Sequence, residues 1–256
     1  MSARAKGRVD LDATRGQLEQ VGLMHAAAKL AELVEEAVKD DLPAHGFLDR
    51  LLAAESSERE MRRIATSLRL SGLPPGQTLG NFDFAFQPSV EKGRIETLAT
   101  CAWLREHATV LIQGPPGVGK THLAVALGVK AVENGFSVAF SRFDDLLHAM
   151  KLDADTAPQR LRRKKYNNVA LLIVDEVGFQ PMARQEASLF FRLVSYRYQR
   201  GSTLITTNKA VKDWPEILAG DEAMAAALLD RLLHRCHVLN IRGRSYRLRD
   251  LERMMK

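Results

Sequence analysis

The chain has 256 residues, of which 46% are hydrophobic, and this predicts a folded protein of one large domain or two smaller ones. Its formal net charge of +6 favours an anionic partner, most commonly nucleic acid, although a solvated basic tail gives the same balance. Two distant cysteines exclude a disulfide framework and a zinc site with the usual ligand spacing. No apolar run reaches membrane-spanning length, so we expect a cytoplasmic protein with no membrane contact.

The first part of the chain predicts helices only. Between residues 12 and 70, apolar side chains recur at helical spacing, and no strand-like alternation occurs. Pro43 is well placed to begin a new helix, and Ser56 and Ser57 precede a charged segment that predicts another. These signals predict a small all-helical domain of about four helices.

Residues 71–77 are rich in glycine and proline, which is typical of a linker. We place a domain boundary here, between a helical domain at 1–72, expected to contact a partner or DNA, and a second domain at 73–256. In the second domain, apolar runs alternate with helical patterns, which predicts an α/β fold with a five-stranded parallel sheet between helices. Strands are expected at 109–113, 137–141, 169–174, 203–206 and 238–241, and helices at 89–107, 120–133, 143–151, 183–200 and 223–235.

Residues 114–121, Gly-Pro-Pro-Gly-Val-Gly-Lys-Thr, match the phosphate-binding pattern G-x-x-x-x-G-K-[ST]. An apolar run precedes them and an amphipathic run follows, and this strand–loop–helix context distinguishes the pattern from a glycine-rich turn without a ligand. The loop N–H groups and the helix dipole would bind phosphates, Lys120 would reach the β- and γ-phosphates, and the Thr121 hydroxyl would help to hold Mg²⁺. The expected nucleotide contacts are Gly114, Pro115, Pro116, Gly117, Val118, Gly119, Lys120, Thr121 and His122.

Two adjacent carboxylates, Asp175 and Glu176, follow the apolar run that begins at Leu171. Asp175 would bind Mg²⁺ through its water shell, and Glu176 would orient and polarise the attacking water. An acidic turn after a strand is common by itself, but this pair follows the phosphate loop by roughly 50 residues, which favours nucleotide hydrolysis.

Two further polar positions are catalytic candidates. Asn208 belongs to a small polar cluster, Thr206-Thr-Asn208, at the end of the strand expected at 203–206. Strand ends line the ligand crevice of a parallel sheet, so Asn208 could bond the γ-phosphate or the attacking water, or cap the next turn. Arg231 and Arg235 are four residues apart on one predicted helix face. Arg231 could balance the charge of a neighbouring subunit's γ-phosphate, although a solvated surface arginine fits the pattern too.

Together these motifs resemble those of the IstB-like ATPases, helper proteins of insertion-sequence transposition, which are related to the DnaC helicase loaders within the AAA+ superfamily. The stretches that carry the resemblance are 78–88, 114–123, 171–178, 201–209 and 228–248. The resemblance implies an AAA+ P-loop NTPase fold that binds ATP and Mg²⁺ and hydrolyses ATP to ADP and phosphate. It also implies Walker A roles for Lys120 and Thr121 and Walker B roles for Asp175 and Glu176.

The same resemblance implies that Asn208 is the sensor 1 residue and that Arg231 is an arginine finger acting across a subunit boundary. Arg247 falls where a second sensor contact would be sought. A cavity completed by a neighbour's arginine requires head-to-tail homo-oligomers, which form closed rings or helical filaments.

Two basic clusters are candidates for DNA binding. Backbone phosphates require only positive charge, so we expect binding of duplex DNA without sequence specificity, although solvated helix faces would show the same pattern. The first cluster is Arg59, Arg62 and Arg63, with Arg69 nearby; the second is Arg162, Arg163, Lys164 and Lys165, with Arg160 nearby.

The motifs favour a DNA-stimulated ATPase that assembles on target DNA and regulates the transposase of its element. A loader of the replicative helicase would use the same ATPase core, with a different partner. A nucleotide-gated scaffold without turnover would not need Glu176, and a small-molecule kinase would need an acceptor pocket and a lid that the sequence does not predict.

Overall fold

The structure is a computed structural model that describes residues 10–249. The chain divides into two compact units, the first ending at Thr66 and the second beginning at Ser67. This division precedes the boundary expected after residue 72. The separate roles assigned to the two domains stay predictions.

In its described residues, from Asp10 onwards, the first unit contains helices rather than strands, as the sequence predicts, but three helices instead of about four. They are α1 (Leu11–Gln20), α2 (Met24–Lys39) and α3 (Ala44–Ser71), the last of which continues into the second unit. Ser56 and Ser57 lie inside α3, so the expected break at these serines is wrong. The helix propensity of serine is only a few tenths of a kcal/mol below that of good helix formers, and packing overrides it.

A buried glutamate on α3 explains much of this packing. Glu55 is 3% exposed, and its carboxylate accepts hydrogen bonds from the backbone N–H groups of His25 and Ala26 at 2.8 and 2.9 Å. These two groups lie in the first turn of α2, where backbone donors lack partners within the helix. Arg59 pairs with the same carboxylate at 2.6 Å. Glu55 therefore connects α3 to the start of α2.

The second unit is built on a five-stranded sheet whose strands are all parallel, in the order β2-β3-β4-β1-β5. This confirms the expected α/β class. The strands are β1 (Thr109–Gln113), β2 (Val138–Arg142), β3 (Leu171–Val177), β4 (Ser202–Thr207) and β5 (Cys236–Asn240).

The strand β3 extends further than the sequence predicts. Asp175 and Glu176 lie within it rather than after it, at a register irregularity between Val174 and Val177. Glu176 has a φ of 64°, an uncommon conformation for a residue with a side chain. The irregularity belongs to the strand end at which the predicted chemistry lies, where such deviations are common.

Nine α-helices of this unit begin and end within the described residues, and two of the five helices that the sequence predicts here differ from expectation. The predicted helix at 89–107 is interrupted at Cys101, whose φ of 61° is incompatible with a continuous helix. The helix expected at 183–200 ends at Arg197. The nine are α4 (Lys92–Ala99), α5 (Ala102–Arg105), α6 (Lys120–Glu133), α7 (Phe143–Leu152), α8 (Pro158–Arg162), α9 (Lys165–Asn168), α10 (Arg184–Arg197), α11 (Trp214–Ile217) and α12 (Glu222–Leu233).

Helices cover both faces of the sheet. The helix α6 packs closely on one face, where a Cβ added at Gly128 would lie 2.7 Å from a methyl carbon of Ile173. On the other face, Leu172 and Val174 pack in a core that includes Phe143 of α7 and Phe190 of α10. Residues 171–174 are fully buried, which explains why β3 is a continuous apolar run.

Within residues 10–249, no helix is long and apolar enough to cross a membrane.

The parallel strand order determines where the polar residues after the strands come together. The carboxyl ends of β1, β3 and β4 lie side by side, because β4 pairs with both of the other strands. The three motifs that follow these strands therefore meet at one edge of the sheet.

Candidate nucleotide-binding site

The loop of residues 114–119 joins β1 to α6 and contains two glycines that the local structure requires. Gly117 and Gly119 have φ angles of 80° and 97°, which side-chain-bearing residues rarely adopt. A Cβ at Gly119 would also lie 2.8 Å from the ring of Phe82. The loop ends where α6 begins at Lys120, so the unpaired N–H groups of the first helical turn face it.

Lys120 bends back over the loop. Its Nζ atom donates to the carbonyl oxygens of Gly114 and Pro115, both at 2.8 Å, and the residue is 8% exposed. Burial lowers the pKa of this ammonium, while the nearby carboxylates of Asp175 and Glu176 act in the opposite direction. The lysine is thus a desolvated cation held among oxygen atoms.

Asp175 links the phosphate loop to β4. Its carboxylate accepts hydrogen bonds from the hydroxyl of Thr121 at 3.0 and 3.1 Å and from the hydroxyl of Thr206 at 2.5 Å. The residue is 4% exposed, and burial raises its pKa, while the two threonine hydroxyls oppose that shift. Carboxylate and hydroxyl oxygens are ligands that suit Mg²⁺, so Thr121 and Asp175 fit the metal role that the sequence predicts.

Both the backbone and the side chain of Glu176 have bonding partners. Its backbone N–H donates to the Thr206 hydroxyl at 2.9 Å, and its carboxylate forms an ion pair with Arg142 at 2.7 Å. Sequence reasoning missed Thr206 and Arg142. Thr206 lies in the polar cluster at the end of a predicted strand, so the sequence did indicate its neighbourhood. Nothing in the sequence indicates Arg142, which comes near Glu176 because β2 pairs with β3 and places Arg142 opposite Asp175.

A cavity of about 370 Å³ lies over this strand edge. Its wall includes the phosphate loop from Pro116 onwards, His122, Glu176 and the predicted Asn208. Phe179 and Thr206 also line it, and the segments before α4 and after β5 contribute Gln77, Phe82, Gln87, Tyr246 and Arg247 among others. The structure therefore brings together all expected nucleotide contacts from Pro116 to His122, as well as Asn208 and Arg247.

The segment after β5 closes over the loop. The backbone N–H of Tyr246 donates to Gly117 O at 2.9 Å, and that of Ile241 donates to Gln113 O at 2.8 Å. On the opposite wall, His122 lies 2.8 Å from Thr78 O and edge-on to Phe82. Residues 78–88, one of the stretches that carry the resemblance, thus contribute to the cavity wall.

Arg231 is placed differently from the other candidates. It does not line the cavity of its own chain; its guanidinium donates to Ala227 O at 2.6 Å and lies 5.0 Å from the centre of the Phe191 ring. Arg231 and Arg235 line a separate, smaller cavity near the start of β4. Among the residues that the structure describes, Arg231 is thus not part of the wall of its own chain's cavity.

The two basic clusters differ in how many charges are already paired. In the first unit, Arg59 pairs with Glu55 and Arg63 pairs with Glu60 at 2.7 Å, while Arg62 is exposed. In the second unit, Lys164 pairs with Asp153 at 2.6 Å, and Lys165 donates to Leu70 O.

Arg162 and Arg163, at the end of α8, are exposed. Arg162 also borders a second cavity of about 370 Å³, lined mainly by side chains of α8, α9 and α10. That cavity contains none of the residues predicted for nucleotide binding.

The sheet order, the phosphate loop and the acidic pair at the end of β3 define a P-loop protein of the AAA+ class. The chain belongs to the family of IstB-like ATP binding proteins, whose family model matches residues 16–253. The resemblance seen in the sequence is thereby confirmed.

Individual proteins agree with this assignment. An ATP-binding protein of insertion sequence IS21 from Pseudomonas aeruginosa is 43% identical over 235 residues, covering 91% of this chain and 88% of that protein. An ATP-binding protein of insertion sequence IS5376 from Geobacillus stearothermophilus is 35% identical over 224 residues, covering 88% and 89%. The replication initiator DnaA, solved with AMPPCP and single-stranded DNA, has a TM-score of 0.52 at 22% identity, covering 72% of this chain and 56% of that one, and it shares the fold.

Proposed function

We propose that this protein is an ATPase that assembles on target DNA and regulates the transposase of its insertion sequence. The observation that carries the proposal is the convergence of Lys120, Thr121, Asp175 and Glu176 at one cavity edge. Family membership supports ATP as the nucleotide, and the names of the relatives support the insertion-sequence context.

The proposed chemistry assigns one task to each group. Loop N–H groups and Lys120 bind the β- and γ-phosphates, and an arriving phosphate takes the place of the carbonyls that Lys120 now contacts. Thr121 and Asp175 hold Mg²⁺, which neutralises charge on the phosphates when it is bound. Glu176 orients and polarises the attacking water, and Asn208 bonds either that water or the γ-phosphate.

We assign Arg231 of an adjacent subunit the task of balancing charge on the γ-phosphate during transfer. Arg231 lies outside its own cavity, which supports a role in a head-to-tail contact. Such contacts are heterologous and form rings or helical filaments. ATP bound between two subunits then stabilises their contact, and hydrolysis weakens it.

Phosphate release in the presence and absence of duplex DNA tests the enzymatic part of the proposal. We expect DNA to raise the rate, because DNA-bound subunits are brought into contact. Copurification tests the partner: the transposase of the same element should be retained. Retention of a hexameric helicase instead would identify a helicase loader.

Replacing both Arg162 and Arg163 with alanine should weaken DNA binding and reduce its salt dependence. Each lost phosphate contact lowers the slope of log K against log salt by about one, so the double variant should lose about two. The measurement is a fluorescence titration of a labelled duplex at several salt concentrations. A matched control, Lys92→Ala with Arg94→Ala, removes the same charge from α4 and should leave the slope near that of the original protein. Equal slopes for all three proteins would contradict DNA contact at α8.

Removing Arg142 should raise the ATPase rate measured without DNA. The ion pair holds the Glu176 carboxylate away from its proposed water, and exposed pairs of this kind contribute about 0.2–1 kcal/mol. Arg142→Ala is therefore expected to increase basal phosphate release by up to about fivefold. Lys151→Ala removes the 2.6 Å pair with Glu186 outside the cavity and serves as the control. A lower rate in Arg142→Ala would mean that Arg142 assists hydrolysis instead.

A further inference from the structure

The cavity wall contains a buried glutamine whose carbonyl oxygen lacks a hydrogen-bond donor among the described residues. Gln87 is 2% exposed, and its Oε1 atom is buried and unpaired. Nearly all buried polar side-chain atoms in proteins have a partner, so an unpaired acceptor at a binding cavity points to a donor that the ligand supplies. Gln77, in the same wall, has a second buried and unpaired Oε1 atom.

The amide nitrogen of Gln87 fixes the orientation of its amide group. Its Nε2 atom donates to Arg244 O at 2.9 Å, and a carbonyl oxygen can only accept, so the amide cannot be reversed. Gly243 lies beside the oxygen with a φ of 140°, and a Cβ there would come within 2.8 Å of Oε1. Glycine at this position therefore leaves room for the acceptor.

The placement of the phosphates determines where the base must lie. The phosphate loop, Lys120 and Glu176 form one part of the wall and would hold the triphosphate, with Asp175 behind Thr121 for Mg²⁺. The base is then expected against the remaining wall, to which the segments that contain Gln87 and Tyr246 contribute. Adenine presents an exocyclic amine, a hydrogen-bond donor, at the position where guanine presents an oxygen acceptor.

We propose that Gln87 selects adenine by accepting a hydrogen bond from its exocyclic amine, and that it disfavours guanine because two acceptor oxygens would face each other. This inference rests on the proposed placement of ATP in the cavity. It assigns base specificity to a residue outside the phosphate loop and the acidic pair. The segment after β5 acts as a positioning element, because Arg244 holds the Gln87 amide in the accepting orientation.

The test compares ATP with purine riboside triphosphate, which lacks only the exocyclic amine, by competition against a ribose-labelled fluorescent ATP analogue. The original protein should bind the analogue without the amine about tenfold more weakly, the value of one hydrogen bond. Gln87→Met should bind the two nucleotides equally.

Gln113→Met provides a matched control, because Gln113 also has a buried, unpaired Oε1 atom but does not line the cavity. This variant should keep the tenfold preference. The inference would be overturned if Gln87→Met kept the full preference for ATP over purine riboside triphosphate. It would also be overturned if the original protein showed no such preference. Neither result would contradict ATP binding itself. Failure of the original protein to bind either nucleotide would overturn the proposed function as well.

Discussion

Replacing Glu176 with glutamine is expected to lower the rate of ATP hydrolysis by about 10²–10⁴-fold while leaving ATP affinity nearly unchanged. Glutamine has the shape of glutamate but cannot accept the proton of the attacking water. The backbone bond from Glu176 N–H to Thr206 does not involve the side chain, so the local strand geometry should persist. Steady-state phosphate release gives the rate, and equilibrium binding of a fluorescent ATP analogue gives the affinity.

The control for this variant is Glu96→Gln, an exposed glutamate on α4 whose nearest cation, Lys92, is 3.7 Å away. It removes the same charge outside the cavity and should leave both quantities unchanged. Equal losses of hydrolysis and of ATP affinity in Glu176→Gln would contradict the proposed role. Glu176 would then contribute to binding or to folding instead.

Replacing Arg231 with alanine is expected to reduce hydrolysis by about 10³–10⁵-fold, again with ATP binding retained. The guanidinium would stabilise charge on the transferred phosphoryl group of the neighbouring subunit. Arg231→Lys should recover little activity, because lysine lacks the planar fork with which arginine contacts phosphate oxygens. Arg235→Ala, four residues further along and exposed, is the matched comparison and should have a much smaller effect.

Mixing two inactive variants distinguishes a role across subunits from a role within one chain. In an equal mixture of Glu176→Gln and Arg231→Ala subunits, about a quarter of the head-to-tail contacts combine an intact glutamate with an intact arginine. The mixture should therefore regain about a quarter of the original rate. No recovery, in assemblies shown by sedimentation to contain both variants, would place the arginine's action within one chain.

The cavity suggests why a single ATP could control assembly. Its wall is formed by the phosphate loop, the ends of β3 and β4, and the segments before α4 and after β5, and Arg231 lies outside it. If Arg231 acts as proposed, a complete catalytic site forms only where two subunits meet. The proposal therefore couples subunit contact to hydrolysis, since both would require the cavity of one chain and the arginine of another.

The sequence by itself determined the features that depend on local pattern. The glycine spacing of residues 114–121 predicted the loop, and the apolar runs predicted all five strands to within a few residues. Asn208 was identified because the carboxyl ends of parallel strands meet at one edge, a rule that needs no coordinates. Asp175 was identified because two adjacent carboxylates follow an apolar run roughly 50 residues after the phosphate loop. Helix breaks were less well predicted, since Ser56 and Ser57 continue α3 and Cys101 interrupts a predicted helix.

Only the tertiary structure decided which distant side chains touch. The pairing of Arg142 with Glu176 follows from the register of β2 against β3, and the unpaired oxygen of Gln87 becomes visible only when Arg244 occupies the other end of its amide. Glu55 is likewise an ordinary charged helix residue in the sequence, and it acquires a role because the start of α2 lies against it. Such contacts depend on how whole elements pack, and neither propensity nor periodicity along the chain contains that information.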